Sequence, residues 1–189
     1  VLNNEAVLEM VANSLMLLVI AEFGVVLWLS AAANTLSSTK AKVLFMVYAA
    51  LNGLTLAPLL YMYTTESITN VFLTCAVMYG GTAAYGLMTK KDLNSIGSFF
   101  VMGLFGLIGA SVVNIFLASS ALNFAVSLVG VVVFLGLTAY DNQKLKEMYV
   151  VEQQEGAAAG NIAIRGALTL YLDFINLFLF LLRILGRRK

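Results

Sequence analysis

Two aspartates stand where apolar sequence ought to exclude them. Asp173 lies in ALTLYLDFINLFLFLLR, Ala167 to Arg183, a run apolar enough to sit inside a bilayer. A charged side chain at the bilayer centre costs about 2.5–3.5 kcal/mol on insertion scales. A chain that keeps one there must supply a polar partner, water or a proton. Asp141 closes the preceding apolar run, in GLTAYDNQK. Two carboxyls brought together in a medium of low polarity cannot both ionise cheaply, so a pair can hold one shared proton near neutral pH. With both ionised, the same oxygens suit a hard cation such as Ca²⁺. Asp141 and Asp173 are therefore a candidate proton and cation site, with metal and proton competing for it. The alternative is a buried acid bonded to Tyr, Asn or Lys that fixes helix registry alone.

Other polar residues could support the pair. Arg165, Thr169, Asp173, Asn176 and Arg183 fall on one stripe at helical spacings. Such a stripe on an apolar helix must face protein or water. Arg183 is ten residues from Asp173, about 15 Å by helical rise, too far for a direct pair. Tyr140 immediately precedes Asp141. Glu22, in VIAEFGVV, lies near the middle of the first apolar stretch. It is either held by Asn or Ser of a neighbouring helix or is a second station on an ion path. The remaining acids fall in loops or at stretch ends and read as solvated. One geometric difficulty stands: Asp141 sits near the end of its run, whereas Asp173 lies about eleven residues beyond Ile162. They meet only if the last helix bends or its first turns lie outside the hydrocarbon.

Composition sets the class. Of 189 residues, 61% are hydrophobic and 11% charged, with mean hydropathy +0.92. Soluble domains carry roughly 25% charged residues, so an integral membrane protein is expected. The net charge of +1 gives no reason to expect nucleic acid as a partner. The chain has no histidine and one cysteine, Cys75. That excludes histidine-based metalloprotease motifs and triads, zinc clusters and internal disulfides. No resident cofactor is expected. The start, VLNNEAVLEM, lacks the basic then apolar pattern of a signal peptide.

Six apolar stretches reach spanning length: Leu8–Ala31, Ala41–Tyr63, Ile68–Met88, Ser95–Phe116, Leu122–Lys144 and Ile162–Leu185. Their continuous apolar runs, such as VVVFLGL, do not alternate as barrel strands do. The expected architecture is an all-α polytopic bundle in one domain. The first, third and fifth connections carry Lys40 and Lys42, Lys90 and Lys91, and Lys144 and Lys146. By the positive-inside rule they are cytoplasmic. Full spanning by the last stretch then puts the basic tail Arg187, Arg188 and Lys189 outside, against the rule; a re-entrant last helix would obey it. Length favours full spanning. Residues 145–161 read as a cytoplasmic linker. Gly103, Gly106 and Gly109 read as a packing face, and Pro58, after Asn52 and Gly53, as a kink.

LTAYDNQKLKEMY followed by ALTLYLDFINLFLFLLRILG resembles the closing two helices of the Bax inhibitor (transmembrane Bax-inhibitor-motif) family, and TKKDL with GSFFVMGLFGL also matches. The resemblance covers about Glu22 to Gly186 and is closest to the bacterial branch. It implies a seven-helix bundle with the last helix central between two three-helix layers, in the bacterial inner (plasma) membrane. It implies a pH-sensitive calcium leak channel controlled by an aspartate pair, matched here by Asp141 and Asp173, with Glu22 matching an acid of the second family helix. Some bacterial members modulate a membrane-bound protease, and animal members restrain cell death. Two departures stand out. Six stretches are present against the family's seven, so the expectation is that the family's first helix is not among them, and because the sequence starts without Met it can lie upstream. Where some members carry an arginine that pairs with the aspartates, this chain reads LSAAANTL, and its nearest cations are Lys40 and Lys42.

Three functions are compatible with these residues. A cation channel gated by protonation of the pair, passing calcium and protons across the lipid bilayer, requires both acids. A non-conducting regulator of a membrane protease or of a cell-death or stress pathway does not. An intramembrane aspartyl protease would need Tyr-Asp on one helix and Gly-x-Gly-Asp on the next. Tyr140–Asp141 fits the first, but Tyr171–Leu172–Asp173 lacks both glycines, so no enzyme is expected.

Overall fold

The computed structural model describes residues 17, 18, 20–22, 24–26, 28, 38–155 and 160–189. Five helices follow one another: α1 (Ser38–Tyr61), α2 (Thr65–Met88), α3 (Asn94–Leu117), α4 (Ser120–Glu155) and α5 (Gly160–Leu185). Each contains a stretch long and apolar enough to cross a membrane. The protein is a polytopic helical membrane protein. The described residues of the first apolar stretch, between 17 and 28, are helical as well. The rest of Leu8–Ala31, and the LSAAANTL region, lie outside the described residues.

Local chemistry sets the ends. Thr64 caps α2, its hydroxyl accepting from the Ser67 N–H at 3.3 Å, which satisfies one of the donors a helix start leaves open. α3 stops at Ala118, whose φ of 47° is left-handed. Asn114 Oδ1 then accepts from the Ser119 N–H at 3.0 Å, and Ser119 Oγ accepts from the Leu122 N–H at 3.3 Å to start α4. α1 runs on through Pro58 to Tyr61.

α4 and α5 are the most enclosed spans, with 44% and 33% of their apolar windows buried against at most 17% elsewhere. They pack most extensively on each other. α4 also packs on α2 and α3, and α5 on α2 and α1. The last helix is therefore central, and it shares the centre with α4. In lipid such contacts rest on close backbone approach rather than on hydrophobic driving force. Gly86 lies directly against the Ala139 backbone, Gly97 under the Tyr140 ring, and Gly136 under the Phe100 ring. The expected face of Gly103, Gly106 and Gly109 reduces to Gly103, where an added Cβ would lie 3.2 Å from Val133 Cγ2. The other two open onto empty space. Steps of three residues rotate by about 60° around a helix, so three such glycines fan out rather than line up.

The segment read as a linker, 145–161, is helical through Glu155. QKLKEMYVVEQQE contains neither Gly nor Pro and is rich in strong helix formers, so α4 continues beyond its apolar run.

The two ends of the bundle differ. At the lysine end, Lys146 Nζ donates to the Leu87 carbonyl at 2.7 Å. At the opposite end, the tail after α5 pairs with the α1–α2 connection. Thr64 N–H donates to the Arg187 carbonyl and Lys189 N–H to the Met62 carbonyl, both at 3.0 Å, and Arg187 N–H donates to Ser67 Oγ at 2.8 Å. α5 therefore traverses the bundle from one end to the other and is not re-entrant.

Candidate proton and cation site

The packing of α4 on α5 brings the two aspartates level. Fourteen residues follow Asp141 to the end of α4, and thirteen precede Asp173 from the start of α5. At about 1.5 Å per residue, Asp141 lies about 20 Å from the end of α4 and Asp173 about 20 Å from the start of α5. Close contacts on either side hold this register. A Cβ on Gly166 would meet Leu145 Cδ2 at 3.0 Å, and one on Gly130 would meet the Phe180 ring at 2.7 Å. The geometric difficulty posed by the sequence disappears because α4 is longer than its apolar run.

The carboxyls of Asp141 and Asp173 stand within hydrogen-bonding reach of each other. Two ionised carboxylates are acceptors only, so a hydrogen bond between them needs one proton. Asp173 is 5% exposed, and its Oδ2 is buried without a hydrogen-bond partner. Asp141 is half-buried, and the charge of Lys144, one turn on, is felt there. α4 satisfies its own polar groups around the acid. Thr138 Oγ1 donates to the Phe134 carbonyl, and Asn142 Nδ2 to the Thr138 carbonyl, each at 2.7 Å.

α2 covers the pair with Cys75 and Tyr79, which the sequence reading did not single out. Tyr79 lies within electrostatic range of both aspartates. Its hydroxyl donates to the Leu170 carbonyl at 3.0 Å, and its ring meets Phe174 edge-on at 5.4 Å. Cys75 Sγ lies 3.9 Å from the Phe174 carbonyl. A signal was present: Cys75, Tyr79, Thr82 and Gly86 form a small or polar stripe at helical spacing. Gln143 was also missed. Its Oε1 accepts from the Leu93 N–H at 2.9 Å, and its Nε2 donates to the Lys91 carbonyl at 2.8 Å. It laces the α2–α3 connection onto α4 two residues beyond Asp141.

The other candidates make contacts of their own. Asn176 Nδ2 donates to the Leu172 carbonyl of its own helix at 2.8 Å. The Tyr140 ring covers Gly97, and its hydroxyl accepts from Lys144 Nζ at 3.1 Å. Glu22 belongs to a second polar cluster. Its charge is felt at Tyr48 and Tyr171, and its Oε1 is buried without a hydrogen-bond partner. There Tyr171 Oη donates to Asn52 Oδ1 at 2.9 Å. Tyr171 and Asp173, two residues apart, point about 200° away from each other around α5. Among the described residues, no three His, Cys, Asp or Glu side chains gather to hold a metal.

A family profile described as inhibitor of apoptosis-promoting Bax1 matches residues 3–189. The chain belongs to the Bax inhibitor family. It is 46% identical over 191 residues to the Escherichia coli inner membrane protein YbhL, covering 99% of this chain and 82% of that protein. A Rickettsia prowazekii protein is 46% identical over 173 residues, 92% of this chain and 73% of its own length. A Streptococcus pyogenes membrane protein is 38% identical over 144 residues, 76% of this chain and 62% of its own length. With its apolar helices, this makes the chain a multi-pass protein of the inner membrane.

Proposed function

We propose that the chain is a pH-sensitive cation leak channel, passing calcium, and gated by protonation of the Asp141–Asp173 pair. The observation that carries this reading is the meeting of two carboxyls inside an apolar bundle, one of them with a buried oxygen left unpartnered. A buried polar atom without a partner costs roughly 1–3 kcal/mol, so it calls for an occupant. A proton or a passing cation supplies one. Two carboxylates fall short of the six to eight oxygens of a resident Ca²⁺ site, which suits an ion in transit. The pair acts on protons and cations, not on a peptide bond.

A second reading draws on the family description, which names an inhibitor acting on Bax1. In that reading the chain restrains a membrane protease or a stress pathway without conducting. The two are separated by Ca²⁺ flux into proteoliposomes measured against pH, for the parent and for Asp173→Asn. The channel reading expects pH-responsive flux in the parent and a flat profile in the variant. Parent flux indistinguishable from empty liposomes favours the regulator.

A further inference from the structure

The end of the bundle away from Lys90, Lys91 and Lys146 carries a second polar feature, separate from the aspartates. Arg183 sits in the last turn of α5 and is exposed. Its guanidinium lies over the Phe180 ring at 5.5 Å. An arginine stays charged in any protein environment, so one beside lipid needs an anion or water. Among the described residues the acid at this end is Glu66, which lines a different cavity beside Arg187. Arg183 instead lines a cavity of about 290 Å³ with Ser111 and Asn114 of α3 and Asn123 of α4.

The donors there are unspent. Asn114 uses its Oδ1 to accept from the Ser119 N–H, which leaves its amide N–H groups. Arg183, Asn114 and Asn123 each lie within three residues of a helix end, so the cavity sits about 5 Å below the ends of the helices. At 24 residues α3 is about 36 Å long against a hydrocarbon core of about 30 Å, which brings residues near its end close to the headgroup boundary. Ile115 and Phe116, on the turn of α3 beside it, are 76% and 84% exposed and present an apolar surface to acyl chains.

We propose that this cavity binds the phosphate of a membrane phospholipid, with Arg183 as the charged anchor and Ser111, Asn114 and Asn123 completing the donor set. Arginine matches phosphate oxygens in pairs, and the surrounding apolar helix surface selects a lipid over a free anion.

Native mass spectrometry of the purified full chain, with added phosphatidylglycerol, tests this. The parent retains one phosphatidylglycerol and does not retain a diacylglycerol of the same chains. Arg183→Ala lowers the retained fraction about fivefold or more, the scale of one basic residue near a charged interface. Ser111→Leu, which fills the cavity and leaves the arginine, lowers it too. Asp173→Asn leaves it unchanged, so this outcome is independent of the channel reading. Equal retention by Arg183→Ala overturns the proposal, as does equal retention of diacylglycerol. Displacement of the lipid by millimolar inorganic phosphate shows that a free anion is the ligand and overturns the lipid assignment. If Arg183→Ala does not fold, Ser111→Leu and Asn123→Ala decide: unchanged retention in both overturns the proposal.

Discussion

The Asp141 carboxyl faces that of Asp173 across the α4–α5 interface, as far from the end of α4 as Asp173 is from the start of α5. The cation whose charge is felt at the pair is Lys144, which acts on Asp141. In the proposed channel the pair would share a proton rather than form an ion pair. Asp173→Asn keeps a hydrogen bond, because an amide can donate to Asp141 where a shared proton did. It removes the exchange of that proton. The expected outcome is a stable protein whose Ca²⁺ flux no longer changes with pH, checked by proteoliposome flux between acid and alkaline buffers.

Competition between protons and metal has a definite sign. A cation that occupies the pair displaces the shared proton, so occupancy rises as pH rises and falls as pH falls. One proton released per ion limits the change to about tenfold in apparent affinity per pH unit. Calcium titration of the purified chain at several pH values, against the Asp141→Asn and Asp173→Asn double variant, measures the slope. A slope of the opposite sign would rule out competition at this pair.

Glu22 and the aspartates belong to different clusters on opposite faces of α5. Glu22→Gln is therefore expected to leave the pH response of flux intact while altering contacts with Tyr48 and Tyr171. Flux profiles of Glu22→Gln and Asp173→Asn, measured side by side, check the separation.

Gln143 satisfies one N–H and one carbonyl of the α2–α3 connection from a position 8% exposed. Gln143→Ala strands the buried Leu93 N–H, at about 1–3 kcal/mol, whereas the Lys91 carbonyl, on an exposed residue, can turn to water. Faster amide hydrogen exchange at Leu93 and lower thermal stability in detergent are the expected readouts.

Gly86 leaves no room between α2 and α4, where Ala139 presents its backbone. Gly86→Val forces the helices apart and costs about 1–3 kcal/mol or more, since backbone cannot yield as a side chain can. Cys75, 0% exposed on the same face of α2, reports the result: a membrane-permeant thiol reagent labels it slowly in the parent and faster in Gly86→Val.

Much of this was legible in the sequence. Apolar length placed the spans, and the aspartates stood out because charge is rare at such depth. The level register of Asp141 and Asp173 was not legible, because the polar run after Asp141 reads as a connection although its residues favour helix. Polarity marks where lipid ends, not where a helix does. The separation of Glu22 from the pair was hidden for another reason: which face of α5 an acid on another helix meets depends on packing alone. Gly106 and Gly109 show the converse, small residues whose composition suggested contact and whose rotation around α3 denies it.

The pairing of the tail with the α1–α2 connection has its own consequence. Tyr63 is 3% exposed beneath Arg188, and Lys189 stacks on Tyr61 at 4.3 Å. Three helices are thereby riveted together at one rim. Any displacement of α5 that preserves those rivets must swing like the arm of a pair of tongs, widest at the opposite mouth, where Lys90, Lys91 and Lys146 lie.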